Sequence, residues 1–162
     1  MRVIVAVDEN WGIGKDGDQL VYIKQDLMRF KDMTMGYPII VGRKTLATFP
    51  NGKPLRGRRN IILSHDPELQ VEGAEVYHDV ASILLDKELG DAYVVGGARV
   101  YAALLPYCDT VLVTKIHRIY SADRFFPNLD VNPDWELVDK SETYVEGDVA
   151  FHYATYHNRK LS

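Results

Sequence analysis

The sequence predicts an α/β fold: a mostly parallel central sheet of about eight strands, finished by an antiparallel C-terminal hairpin at one edge and flanked by about four helices. Three observations carry that expectation. Apolar, strand-like runs alternate with helix-like segments through the first two-thirds of the chain, as parallel sheets with crossover helices require. Three strand-like segments then follow one another with no helix between them, which suits an antiparallel edge. The opening run "RVIVAV" has no polar face at all, the mark of a strand covered on both sides.

The elements follow in order. After "RVIVAV", the segment "DENWGIGKDGDQL" is rich in Gly and Asp and reads as a long loop of the kind that often serves as a functional lid. "KQDLMRFKDMT" has helical spacing, with Leu27, Phe30 and Thr34 along one side. "PIIVG" is a short buried strand, and Gly42 leads into the brief helix "RKTLATF". "RNIILS" and "AEVYH" are strands, and "DVASILLDKEL" is a helix. "DAYVVGG" and "ARVYAALLP" form a further strand and helix, and "DTVLVTKIH", "WELVDKSET" and "VAFHYATYH" are the closing strands. No repeat, low-complexity tract or linker interrupts the 162 residues, so one domain over 1–162 is expected.

Composition narrows the function. A net charge of −4 argues against a general nucleic-acid binder, and no apolar run approaches the roughly 20 residues that span a bilayer. The start "MRVIVAVDEN" meets acid too early for a signal peptide. A single cysteine, Cys108, permits no internal disulfide, which suits a reducing cytoplasm, and its apolar surroundings make it structural. HExxH, CxxC and GxSxG are missing, so neither a metal site nor a hydrolase nucleophile is expected. Between Asp32 and Asp66 there is no acid, yet Arg43, Lys44, Lys53, Arg56, Arg58 and Arg59 fall there. That segment is either a solvated basic face or a site for a small, highly anionic ligand.

Three local features could carry chemistry. Gly96 and Gly97 stand between a β-branched run and a helix, where the chain can approach a ligand closely and the helix start favours an anion. The pair equally suits a tight turn with no ligand, since the GxGxxG fingerprint is absent. Asp26 lies in the first turn of its helix, where an acid complements the dipole. Alternatively it faces a cleft lined by Leu27 and Phe30, and its two oxygens would then accept two parallel N–H donors from a flat heterocycle. Thr114 interrupts "VLVTKI" with a hydroxyl, as an ordinary strand residue or as a completing member of that site.

In combination these segments resemble the dihydrofolate reductase family along nearly the full chain. "NWGIGKDG" looks like the family's first-loop signature and "DLMRFKDMT" its acid-bearing helix. "VGRKTLATFPNGKPLRGRRNIILS" resembles its central motif, "VVGGARVYAALLP" its glycine-pair motif and "DRFFP" a late marker. The resemblance implies hydride transfer from NADPH to dihydrofolate, with antifolate inhibitors as further ligands; no obvious association element stands in the sequence, so a monomer is expected. Asp26 would grip the amino-pyrimidine edge of the pterin and favour the protonated imine nitrogen, with Thr114 bonded to the same carboxylate. Ile4, Val5 and Ala6 would contact the pterin, Leu27, Phe30 and Leu55 would line its walls, and Arg58 would bind the α-carboxylate of the glutamate tail. For the cofactor, Gly42, Arg43, Lys44 and Thr45 match one phosphate-binding turn. Gly96, Gly97, Ala98, Arg99 and Val100 match the other, flanked by Val95 and Tyr101, with a cis peptide between the glycines. Arg43, Ser64 and His65 would meet the ribose 2′-phosphate. Ala6 and Ile13 would also contact the cofactor, and Gly14, Lys15, Asp16, Gly17 and Asp18 would form a mobile lid over the nicotinamide.

One stretch departs from the family. Where a Leu-Pro-Trp sequence and a second proline are usual, this chain has "QLVYIKQD", with Val21 at the tryptophan position, Leu20 and Lys24 at the prolines. Tyr22, or less directly Trp11, could stand in. Two other readings compete: a related reductase of a phosphorylated ribosylamino-pyrimidine in riboflavin synthesis, against which Asp26 argues, and a pterin- and nucleotide-binding protein that has lost catalysis, which the altered loop motivates.

Overall fold

In the computed structural model, residues 1–161 are described; Ser162, the last residue of the expected domain, lies outside them. The strands are β1 (Arg2–Val7), β2 (Gly12–Gly14), β3 (Ile39–Gly42), β4 (Asn60–Leu63), β5 (Glu75–Tyr77), β6 (Tyr93–Gly96), β7 (Thr110–Ile116), β8 (Arg124–Phe125), β9 (Trp135–Lys140), β10 (Tyr144–Glu146) and β11 (Val149–Asn158). The helices are α1 (Lys24–Thr34), α2 (Arg43–Leu46), α3 (Val80–Leu85) and α4 (Ala98–Leu104).

Eight positions run across the main sheet, in the order β10, β11, β7, β1, β6, β3, β4, β5. Every pairing from β7 to β5 is parallel, and β11 returns antiparallel to β7. The expected architecture holds, with one refinement: β11 is long enough to take β10 against its first residues and β9 against its last, so two strands share the edge.

Strand alternation sorts the core onto two faces. Val3, Val5 and Val7 of β1 join Ile40, Ile61, Val94, Val111 and Val113 under α3 and α4, through Ile83, Val100, Tyr101 and Leu104. On the other face Ile4, Ile39 and Tyr93 meet Phe30 and Met33 of α1, while Val41 and Ile62 meet Leu46 of α2. Both faces of β1 are therefore covered, which is why its sequence carries no polar alternation. Cys108 is buried, its thiol donates to the Leu104 carbonyl at 3.3 Å, and burial pushes its pKa up to about 12, so it is structural as expected.

Three expected elements change shape. The helix read over 79–89 breaks at Asp86, whose carboxylate accepts from the Glu88 amide and opens a separate 3-10 turn, Lys87–Leu89. The helix after Gly42 ends at Leu46, and a 3-10 turn at Pro50–Gly52 follows. The long first loop is not irregular throughout. Asp8, buried at its base, accepts from the amides of Asn10, Gly12 and Tyr120, and β2 pairs with β8.

Candidate active site

β1 and β6 are paired only at Arg2 and Val3, opposite Tyr93 and Val94, although both strands run on. Beyond that point they part, and a cleft of about 640 Å³ opens at their carboxyl ends. Ligand sites in open parallel sheets form at such ends. The Tyr101 hydroxyl spans the gap, donating to the Ile4 carbonyl at 2.8 Å. Burial, with the Asp26 charge adding to it, raises the Tyr101 pKa, so the phenol stays a neutral donor.

Ile4, Val5 and Ala6 of β1, Val95 and Gly96 of β6, and Thr114 and Ile116 of β7 line the base of the cleft. Asp26, Leu27, Phe30 and Lys31 come from α1, and Thr45, Thr48, Phe49, Pro50, Leu55 and Arg58 from the segment between β3 and β4. The first loop supplies Ile13, Gly14, Lys15, Gly17 and Asp18.

Asp26 is the cleft's decisive group. It sits at the third position of α1, half-buried, and Thr114 of β7 donates to its Oδ1 at 2.5 Å. Oδ2 has no bond to a described residue. Desolvation raises the Asp26 pKa above the ordinary carboxylate range, against the Thr114 hydrogen bond and the Arg29 charge, and Glu146 pushes the same way as burial. A carboxyl so placed holds a proton more readily than one in water and gains most from a ligand presenting donors.

The loop over the cleft ends in a two-residue hairpin tip. Lys15 and Asp18 exchange backbone hydrogen bonds at 3.0 Å, while Asp16 and Gly17 take φ of 52° and 81°. Both central residues need positive φ in this turn, hence Asp-Gly. The Asp16 amide donates to Asp123 Oδ2 at 3.0 Å, tying the tip to the segment before β8. Tyr22 donates to Asp18 Oδ1 at 2.5 Å, which lowers the Asp18 pKa and raises that of Tyr22. Of the two candidates for the absent tryptophan, Tyr22 lines the cleft. Trp11 is instead buried beside Phe126 and Tyr156, with the Lys115 ammonium 4.4 Å from its ring centre. Val21 also lines the cleft and packs beside Ile23, Ile116 and Phe151.

The glycine pair is built for close approach. A cis peptide joins Gly96 to Gly97. A Cβ on Gly97 would stand 2.9 Å from Thr45 Oγ1, and Gly96 has a φ of +126°, which L side chains rarely adopt. The tips of β3 and β6 therefore meet across bare backbone, beside the open amides of the first turn of α4.

The basic segment does not lie uncompensated, as its local sequence suggests. Arg59 is enclosed by Glu75, Asp86 and Glu88 from distant parts of the chain, and these partners raise its pKa. Arg43 pairs with Asp66 at 3.5 Å. Arg58 is different: it bonds to the Arg56 carbonyl and to Thr34 Oγ1, and it has no carboxylate partner among the described residues. Buried Asn60 fixes the loop that presents it, exchanging hydrogen bonds with the Leu55 backbone and donating to the Arg58 carbonyl.

Eight of the expected site residues stand outside the cleft lining: Asp16, Gly42, Arg43, Lys44, Ser64, His65, Arg99 and Val100. Val100 is buried, and its side chain belongs to the core. Arg43 and Ser64 follow directly on Gly42 and Leu63, which are in register across β3 and β4, so the two form a shelf at the strand ends. Sequence reasoning missed Gln19, Lys31, Thr48, Phe49, Pro50, Ile116 and Arg124, all of which line the cleft. Lys31 was recoverable, standing one turn beyond Leu27 on the same helix. Arg124 was not, because it arrives through the β2–β8 pairing.

Comparison with known proteins agrees with this geometry. The family model described as dihydrofolate reductase matches residues 1–159. A dihydrofolate reductase of Bacillus subtilis (strain 168) is 37% identical over 140 residues, 86% of this chain and 82% of that one. One from Neisseria gonorrhoeae is 32% identical over 158 residues, 96% of both. Among solved structures, dihydrofolate reductase from Enterococcus faecalis, complexed with NADP(H) and RAB-propyl, aligns with a TM-score of 0.83 and 34% identity, over 97% of this chain and 95% of that one.

Proposed function

The chain belongs to the dihydrofolate reductase family, and from that premise we propose how its own residues carry out the NADPH-dependent reduction of 7,8-dihydrofolate to 5,6,7,8-tetrahydrofolate. The observation that carries the reading is the Asp26–Thr114 pair, set in an apolar cleft with one carboxylate oxygen free. Asp26 receives the two parallel N–H donors of the amino-pyrimidine edge. Thr114 holds the carboxylate in the plane this needs. The pair formed by Asp26 and the pterin keeps one proton, which must reach the imine nitrogen for the neighbouring carbon to accept hydride. Ile4, Val5, Ala6, Leu27, Phe30 and Leu55 exclude water around the ring. Arg58, lacking an acid of its own, takes the glutamate α-carboxylate.

NADPH supplies the hydride when bound. The residues present fit it, because the Gly96–Gly97 junction leaves a cradle that a Cβ on Gly97 would fill. Val95, Gly96, Gly97, Ala98, Arg99, Val100 and Tyr101 would hold one part of the cofactor, and Gly42, Lys44 and Thr45 another. Arg43, Ser64 and His65 would take the ribose 2′-phosphate, while Ala6 and Ile13 to Asp18 would shelter the nicotinamide. The test is direct: NADPH absorbance should fall only when dihydrofolate is also present. Folded protein without turnover would reject the proposal, and faster turnover of a phosphorylated ribosylamino-pyrimidine would redirect it.

Tyr22 acts as the latch of this lid through its bond to Asp18. Tyr22→Phe should raise the KM for NADPH about three- to tenfold, the range of an ordinary hydrogen bond, because solvent at this exposed site screens the Asp18 charge. The melting temperature should stay within about 1 °C, since Tyr22 is 54% exposed and outside the core. An unchanged KM would remove Tyr22 from the lid's function. We read the enzyme as a single-domain cytoplasmic monomer in which antifolates compete at the Asp26 edge; the lone buried thiol of Cys108 supports a reducing compartment. No helix among the described residues is long and apolar enough to cross a membrane.

A further inference from the structure

The amino end of α1 is capped from far along the chain. Its N-cap residue is Ile23, which offers no side-chain acceptor, although Ser, Thr, Asp or Asn is usual there. Glu146, the last residue of β10, does the work instead. Its Oε2 accepts from the Lys24 amide at 2.6 Å and its Oε1 from the Gln25 amide at 2.9 Å. Both oxygens of one carboxylate therefore bind the first two amides of the helix whose third residue is Asp26. The strand bearing Glu146 is fixed in turn by pairing with β11, where Glu146 lies opposite Val149 across a two-residue turn. Arg118 holds that turn through both the carbonyl and the carboxylate of Asp148.

We propose that Glu146 is a positioning residue for the reduction, setting through the amino end of α1 both where the Asp26 carboxyl stands and the charge it feels. The inference rests on the role given to Asp26 and deepens it. An uncapped helix start carries a positive partial charge equivalent to about half a proton, which would favour ionised Asp26. Glu146 cancels that field and adds a negative charge of its own, and it acts on Asp26 in the direction that retains the proton.

The other groups that face Asp26 come from every element around it. Thr114 on β7 donates to it, and Arg29, on α1 itself, opposes Glu146 with a positive charge. The Arg29 guanidinium lies 3.8 Å over the Tyr153 ring of β11, so the cation is held in place. The phenols of Tyr153 and of Tyr101 on α4 both feel the Asp26 charge and stay neutral. Lys15, Asp18, Lys31, Arg58 and Arg124 also line the cleft. Among the groups that act directly on the Asp26 charge, Glu146 alone is negative. It belongs to neither the cleft lining nor α1, so replacing it removes no side chain from the cleft.

The test compares Glu146→Gln and Glu146→Asp with the unaltered enzyme by two readouts. One is the 13C titration of the Asp26 carboxyl, assigned by its loss in Asp26→Asn. The other is the pH midpoint of turnover. In Glu146→Gln both midpoints should fall by about half a pH unit, the effect of a single partly solvated charge at the same helix end, so turnover above the midpoint drops about threefold. Glu146→Asp keeps the charge and should return both midpoints to within about 0.2 units of the unaltered enzyme. A carboxyl that titrates at its original pH in Glu146→Gln, with only the melting temperature lowered, would reduce Glu146 to an ordinary helix cap and overturn the proposal. A carboxyl that shifts while the turnover midpoint stays put would overturn it differently, by removing Asp26 from the proton step.

Discussion

Asp26→Asn should lower turnover at pH 7 by about 10²- to 10⁴-fold, the usual contribution of a positioned proton-transfer group. The substitution is nearly isosteric, and the amide oxygen can still accept from Thr114. What it cannot do is hold a charge or share a proton with the pterin, and its NH2 would turn donors toward a donor edge. Activity should partly recover in acid, where dihydrofolate acquires its proton from solution. The unaltered enzyme should behave otherwise. Because burial raises the Asp26 pKa, its proton is retained to higher pH than in an ordinary carboxyl, and turnover should decline as pH rises through that raised value. The same shift has a cost in stability. Below the ordinary carboxylate range the neutral group is buried at no penalty, and stability is lost as pH rises through the folded-state pKa. Asp26→Asn should therefore be at least as stable as the unaltered protein at neutral pH, a functional group held at some expense to the fold. Stopped-flow NADPH oxidation between pH 5 and about 9, with a thermal melt at pH 7, checks both halves. A near-normal rate with a flat pH response would take Asp26 out of the chemistry.

What could be read in the sequence was local, and what could not was carried by partners far along the chain. The uniformly apolar β1 and the run of closing strands announced a sheet parallel at its centre and antiparallel at one edge, because burial on both faces removes polar alternation. Gly96–Gly97 announced a close approach, because only glycine gives backbone that access. The Asp16-Gly17 pair is an equally local mark of the hairpin tip within "GKDGD", hidden only by the Gly- and Asp-rich composition around it. Arg59 looked unopposed because Glu75, Asp86 and Glu88 lie 16 or more residues away. The cap of α1 was hidden in the same way, since Ile23 gives no signal and Glu146 is 122 residues from the amide it meets. Tyr22 could be named as a stand-in for the absent tryptophan, but its direction depended on the hairpin that brings Asp18 within reach.

Arg43→Ala should weaken NADPH binding by about 10- to 150-fold while leaving NADH nearly unchanged, since one charge-assisted hydrogen bond is worth about 1.5–3 kcal/mol. The shelf where β3 and β4 end supports the expectation. Arg43 follows Gly42, Ser64 follows Leu63, and those two strand ends are in register. Arg43 already has an acid, Asp66 at 3.5 Å, and that pairing decides how available it is. Its side chain is 64% exposed, and an exposed ion pair of this kind contributes about 0–1 kcal/mol. A phosphate dianion offers more charge and three acceptor oxygens, so exchanging Asp66 for it favours binding even after the old contact is lost. Asp66 then becomes a tuning element. Asp66→Asn should tighten NADPH modestly, by about two- to fivefold, because the competing carboxylate is gone. Fluorescence titration of both nucleotides against the two variants separates the possibilities. Equal losses for NADPH and NADH in Arg43→Ala would move the guanidinium from the 2′-phosphate to the pyrophosphate that the two cofactors share.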